Sequence, residues 1–135
     1  NQEERSQSVK YKLVPQQLEI RNKVVMVVDD SIVRGTTSKE IVAMVRNFGA
    51  KAVYFVSACP PVVQPCFYGI DIPTSEELIA AQRSPEEIRS FLGVEILFYQ
   101  RLEDLIEAVT RKGEHHMDLP CHACLGGPYC QGVPS

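Results

Sequence analysis

VVMVVDDSIVRGTTS, residues 24–38, is the stretch that decides the fold. Val24 to Val28 are apolar without alternation. Such a run predicts a strand buried on both faces, as in a parallel sheet covered by helices. Asp29 and Asp30 follow at once, then a turn from Ser31 to Thr36 that contains Gly35. Thr37 followed three residues later by Glu40 reads as a capping box. Ile41, Met44, Val45 and Phe48 recur at helical spacing, and Gly49 supplies the stop. The order is strand, acidic pair, polar loop, helix. In open α/β sheets ligands bind at this carboxyl edge of the strands.

The loop has its own chemical logic. Gly35 allows backbone to approach a ligand closely. The N–H groups from about Gly35 to Ser38 lie at a helix N-terminus without intrahelical partners, which makes an anion site. Ser31, Thr36, Thr37 and Ser38 add hydroxyls. Asp29 and Asp30 would repel a phosphate. They suit sugar hydroxyls, which donate to carboxylates, or a magnesium ion held through water. A phosphate site and a diol site a sugar's width apart point to a ribose 5-phosphate ligand.

Three other readings compete. An Asp-Asp pair at a strand end also opens response-regulator receiver domains, but the next strand ends Val56-Ser57-Ala58-Cys59 and offers no phosphoacceptor Asp. Neither Gly-x-x-x-x-Gly-Lys-Ser/Thr nor Gly-x-Gly-x-x-Gly is present. A turn that binds nothing does not call for two adjacent carboxylates beside four hydroxyl-bearing residues.

Val24 to Ser38 resembles the phosphoribosylpyrophosphate signature of type I phosphoribosyltransferases. In the fuller form VVDDSIVRGTTS it resembles the glutamine phosphoribosylpyrophosphate amidotransferases, which carry out the first committed step of purine synthesis. Further matches run from about Arg5 to Tyr129. The fold that this implies is α/β: part of a Rossmann-like parallel sheet with flanking helices, followed by a Cys-rich tail. Residues 1–22 would be a linker and the end of a flexible loop, residues 23–113 the C-terminal half of the phosphoribosyltransferase domain, and residues 114–135 the metal-binding tail.

The totals fit one modest domain of 135 residues, 44% apolar and 23% charged, with a formal net charge of -3. That balance argues against a nucleic-acid surface. No apolar run is long enough to span a membrane, and residues 1–20 have no signal-peptide core. The expectation is a cytoplasmic protein. The chain starts at Asn1 without an initiator Met, which suggests a truncated or processed piece. Residues 1–22 show little periodicity, with a short helix expected around Ser8 to Leu13. Arg5, Val9, Lys12 and Leu13 resemble the end of the family's substrate-covering loop, where basic residues would screen a pyrophosphate leaving group. A solvated N-terminus is the plain alternative.

Downstream, Lys51 to Ser57 reads as a second strand, parallel to the first through a right-handed crossover. Residues 60–73 hold four prolines and form a loop. In it, Pro65-Cys-Phe-Tyr-Gly-Ile-Asp71 closely resembles the family's segment at this place. Thr74 with Glu77, and Ser84-Pro85 with Glu87, start two short helices. Leu78, Ile79, Ile88, Phe91 and Leu92 should face the sheet, and Gly93 stops the second helix. Val94 to Tyr99 is a third strand. Leu102, Leu105, Ile106 and Val109 make one face of a last helix, ended by Gly113. Three strands do not complete a phosphoribosyltransferase sheet, so one sheet edge and an apolar face should be uncovered, favouring association.

Five cysteines is an odd count, and three of them, Cys121, Cys124 and Cys130, lie in the last fifteen residues. In a reducing compartment this favours a metal over disulfides. Cys-x-x-Cys presents two thiolates to one centre, and thiolates select zinc or iron–sulfur clusters. The tail resembles the Cys-x-x-Cys-Leu-x-Gly-x-Tyr of the amidotransferase subgroup that carries a [4Fe–4S] cluster. The resemblance implies Cys66, Cys121 and Cys124 as cluster ligands, with the fourth outside this chain. It gives no counterpart for Cys59 or Cys130. The alternative is Zn²⁺ held by Cys121, Cys124, Cys130 and one of His115, His116 or His122.

For the parent protein the resemblance implies an amidophosphoribosyltransferase, a glycosyltransferase that displaces pyrophosphate from phosphoribosylpyrophosphate with glutamine-derived ammonia to make 5-phosphoribosylamine. Asp29 and Asp30 would bind the ribose hydroxyls with Mg²⁺, Arg34 to Ser38 would cradle the 5-phosphate, and Ser31 would belong to the same substrate-binding set. Purine nucleotides carry the same group and could bind there. The parent would be an oligomer. The glutaminase nucleophile, an N-terminal cysteine, would lie upstream together with the pyrophosphate loop, so this chain alone should be inert. Two other classes stay open: a ribose-phosphate or nucleotide-binding regulatory module, and a zinc-stabilised interaction domain.

Overall fold

The computed structural model describes residues 17–111 and 118–130. The expected helix at Ser8 to Leu13, the loop-like Arg5, Val9, Lys12 and Leu13, and Gly113, His115 and His116 lie outside these residues. Among the described residues the order is α1 (Gln17–Ile20), β1 (Val24–Asp29), α2 (Thr36–Asn47), β2 (Ala52–Ser57), α3 (Ile79–Gln82), α4 (Pro85–Leu92), β3 (Ile96–Tyr99), α5 (Leu102–Thr110) and a 3₁₀ turn at Ala123–Leu125. The three strands form one sheet in the order β1-β2-β3, and both pairings are parallel, as the alternation of strand and helix predicts. Asp29, Ser57 and Tyr99 share one row at the carboxyl edge.

The two faces of the sheet differ. Val53 and Phe55 point to the covered face and are fully buried, packed with Ile32, Val42, Val45, Ile79, Ile88, Leu92 and Val94. The opposite face carries Met26 and Val28 of β1 with Ile96 and Phe98 of β3, all exposed. In the paired register, Met26 and Ile96 flank Tyr54, and Val28 and Phe98 flank Val56. The expectation that the Val24 to Val28 run is buried on both faces is therefore corrected, since Val24, Met26 and Val28 are 51%, 63% and 65% exposed. Residues of α2, α3 and α4 pack on the covered side, and the other face is left apolar and exposed, as three strands imply.

Local signals set most boundaries. Ser84 accepts from the Glu87 N–H while Glu87 accepts from the Ser84 N–H, completing a capping box with Pro85 at the first turn of α4. Gly93 and Gly49 end their helices in the left-handed conformation. Two capping boxes do not form. Gly35 is the N-cap of α2, so Thr37 already lies inside the helix. Residues 74–77 make a turn, closed by the Glu77 N–H on the Thr74 carbonyl at 2.9 Å, and α3 starts only at Ile79. In α2 the deepest residues are Ser38, Val42 and Val45, with Ile41, Met44 and Phe48 only half-buried beside them. Leu78, Ile79, Ile88 and Leu92 are buried as expected.

Candidate functional site

The carboxyl end of β1 opens into a cleft of about 260 Å³ lined by Asp29, Asp30, Ser31, Val33, Arg34, Gly35, Thr36, Thr37 and Ser38. All eight substrate-binding candidates read from the sequence thus line one cavity. The Asp29 carbonyl takes the Ala58 N–H at 2.9 Å, which ties the strand end to the loop after β2. Its carboxylate takes the Asp30 N–H at 3.0 Å, and Ser31 Oγ reaches Asp30 Oδ1 at 3.4 Å. Burial pushes the Asp29 carboxyl above its ordinary range, the Asp30 N–H opposes this, and the neighbouring Asp30 charge adds to it. Two adjacent carboxylates, one partly desolvated, are suited to receive hydroxyl donors or a cation.

Gly35 has φ +78, and an added Cβ would stand 2.8 Å from Ile79 Cδ1 and 3.2 Å from Phe91 Cε1. This position needs glycine for its backbone conformation and for space alike. The turn brings α2 down onto the cleft with its first N–H groups unpaired by the helix. Thr36 and Thr37 are exposed at the mouth, while Ser38 is buried. Arg34 donates from Nε to Glu77 Oε1 at 3.0 Å. Sequence reading missed Glu77, Ile79 and Phe91 as the backing of this loop, because the contacts join segments more than forty residues apart and no local spacing encodes them.

A second constellation lies nearby. The Cys124 carbonyl accepts from the Val63 and Gln64 N–H groups at 2.9 and 3.2 Å. Tyr129 donates its hydroxyl to the Pro65 carbonyl at 2.8 Å and packs on the Phe67 and Tyr68 rings. The tail is thereby docked on the segment that carries Cys66. The Tyr68 N–H points at Cys66 Sγ, 3.4 Å away. Burial pushes the Cys124 thiol up, and the neighbouring Cys66 adds to the effect. The Ala123 N–H and then the Cys130 thiol draw the Cys121 thiol down. Burial first, then the Cys124 and Asp30 charges, push the Cys59 thiol up.

The tail that carries Cys121 and Cys124 is thus docked on the segment of Cys66, with N–H groups directed at two of the sulfurs. In kind, these groups suit an iron–sulfur centre, whose sulfurs accept such donors. Among the described residues no three His, Cys, Asp or Glu are grouped so as to hold a single metal ion. That holds for Cys66, Cys121 and Cys124 as it does for Cys121, Cys124, Cys130 and His122, whose Nδ1 lies 2.9 Å from the Pro120 carbonyl. No helix among the described residues is long and apolar enough to cross a membrane.

No protein-family model matches the chain. It is 55% identical over 128 residues to an amidophosphoribosyltransferase of Pseudomonas aeruginosa, covering 95% of this chain and 25% of the relative. It is 47% identical over 129 residues to one of Methanocaldococcus jannaschii, covering 96% of this chain and 26% of the relative. Among solved structures it is similar to the glutamine phosphoribosylpyrophosphate amidotransferase of B. subtilis complexed with ADP and GMP. The TM-score is 0.76 at 41% identity, over 92% of this chain and 28% of that one. The chain spans about a quarter of the length of the curated relatives it matches. The α/β fold, with its parallel sheet and flanking helices, is shared with that structure.

Proposed function

We propose that this chain is part of an amidophosphoribosyltransferase and carries the ribose 5-phosphate half of its substrate site. The observation that carries the reading is the single cleft in which Asp29 and Asp30 face the N-terminal turn of α2 across Gly35. The loop N–H groups and the Thr36, Thr37 and Ser38 hydroxyls hold the 5-phosphate. Asp29 and Asp30 accept hydrogen bonds from the ribose hydroxyls, fixing the sugar so that its anomeric carbon faces the incoming amine. Mg²⁺, when bound at these carboxylates, supplies charge neutralisation for the departing pyrophosphate. No side chain here forms a covalent bond to the sugar. The contribution is orientation and electrostatic stabilisation of a ribosyl cation.

Cys66, Cys121 and Cys124 are three ligands of a [4Fe–4S] cluster whose fourth comes from elsewhere in the parent protein. When bound, the cluster supplies a cross-link between the tail and the Pro65 to Tyr68 segment. A cytoplasmic setting suits such thiolates, since they stay reduced there. Purine nucleotides share the ribose 5-phosphate group. The B. subtilis neighbour was solved with ADP and GMP, which favours a regulatory use of the same cleft as a second reading. Both readings are tested by titrating the full chain with phosphoribosylpyrophosphate, ribose 5-phosphate and GMP, with and without Mg²⁺, by calorimetry. Binding of all three is expected, with no pyrophosphate released from phosphoribosylpyrophosphate when ammonia is added. Failure of all three to bind would overturn the assignment. Turnover by the chain alone would overturn its inert, partial character.

A further inference from the structure

We infer that Glu77 is a positioning residue for the phosphate loop, an inference that rests on the ribose 5-phosphate reading of the cleft. The loop is held from behind by one short segment. The Ile79 N–H donates to the Val33 carbonyl at 3.0 Å, and two residues earlier Glu77 Oε1 takes the Arg34 Nε–H at 3.0 Å. Directly after these ties the backbone turns through Gly35, wedged against Ile79 and Phe91. Phe91 is itself braced by Lys39 Nζ, 4.3 Å from its ring centre, and by the Arg83 guanidinium at 4.7 Å.

Arg34 stands on the partition between two clefts. One is the ribose-phosphate cleft. The other, also about 260 Å³, is lined by Glu76, Glu77, Ile79, Gln82, Arg83 and Phe91 beside it. An arginine without a fixed partner could swing its charge to either side. Glu77 holds Nε in one place and so fixes both the guanidinium and the backbone that enters Gly35. The pair is half-exposed on both sides, 52% and 49%. Exposed pairs of this kind add little to folding, so the value of this one lies in geometry at the cleft.

The test compares Glu77→Ala and Glu77→Gln with the wild-type full chain, following ribose 5-phosphate binding through the amide signals of Gly35 to Ser38 and thermal unfolding in parallel. Glu77→Ala is expected to bind about five- to tenfold more weakly while its unfolding midpoint stays within about 2 °C. Glu77→Gln keeps an oxygen that accepts the Nε–H and should remain within about twofold of wild type. Equal binding by Glu77→Ala would overturn the positioning role and leave the cleft assignment standing. A loss of binding matched by a fall of about 5 °C or more would assign Glu77 a structural role instead. No binding by the wild type would overturn the cleft assignment and this inference with it.

Discussion

Glu95 and Val53 are bonded twice across the start of β3. The Glu95 N–H donates to the Val53 carbonyl at 3.1 Å, and the Val53 N–H donates to Glu95 Oε2 at 2.7 Å. Val53 is fully buried in β2, and β3 pairs with β2 only from Ile96, opposite Tyr54. A side chain therefore supplies the acceptor that the strand has not yet begun to offer. Arg46 of α2 closes the arrangement, donating from Nη2 to both Glu95 oxygens at 2.8 and 2.9 Å and to the Gly93 carbonyl at 2.7 Å. One carboxylate thus joins helix, central strand and edge strand on the covered face.

Glu95→Ala should leave the buried Val53 N–H without its acceptor, at a cost of about 1–3 kcal/mol. The pH dependence has a definite sign. The Val53 N–H first, and Arg46 second, hold the Glu95 carboxyl below its ordinary range. A depressed carboxyl contributes stability that is present above the unfolded value, near about 4.3, and is lost as pH falls through the folded value. Unfolding midpoints of wild type and Glu95→Gln should therefore differ at pH 7 and converge as the pH drops below about 4. A gap of constant size down to pH 3 would contradict the role of the charge.

Asp29 predicts the opposite sign. Burial raises its folded value, so the folded state favours the protonated form, and ionisation costs stability as pH rises through the carboxylate range. Asp29→Asn keeps an oxygen to accept the Asp30 N–H and removes the charge. Its midpoint at pH 7 should rise by about 2 °C, a size ordinary for a partly exposed substitution, and the gain should vanish below about pH 4. The same change should weaken ribose 5-phosphate binding at least about tenfold, since a carboxylate acceptor of charge-assisted hydrogen bonds is lost. Together the two results would say that Asp29 is present for the ligand and at the expense of the fold. A destabilised Asp29→Asn at pH 7 would refute this.

Much of the architecture was legible in residues 24–38, because the apolar run, the acidic pair, the glycine and the hydroxyls are contiguous and each has a local reason. The Ser84–Glu87 box and the Gly49 and Gly93 stops were legible for the same reason. What escaped was long-range. Thr74 and Glu77 have the spacing of a cap, but the Glu77 carboxylate is taken by Arg34 across forty-three positions, and the chain turns there without starting a helix. Thr37 lost its cap role to Gly35, whose left-handed backbone begins α2 one residue before Thr37. The Val24 to Val28 run reads as doubly buried from composition alone. Which face is covered depends on elements that no five-residue run can report.

The cysteine assignment offers a test that separates neighbours. Docking of the Cys121 to Tyr129 segment on Pro65 brings Cys124 beside Cys66, whereas Cys59, although it feels Cys124, sits after β2 and accepts from Ser57 Oγ through its carbonyl at 2.7 Å. Iron and labile sulfide should bind on anaerobic reconstitution of the full chain with ferrous iron and sulfide, giving a broad absorption in the blue. A centre held by only three thiolates of this chain should bleach readily in air. Cys124→Ser and Cys66→Ser should each lower bound iron about tenfold, whereas Cys59→Ser and Cys130→Ser should leave it within about twofold. Zinc uptake without sulfide that falls on Cys130→Ser, and not on Cys66→Ser, would move the ligand set into the tail and overturn the cluster.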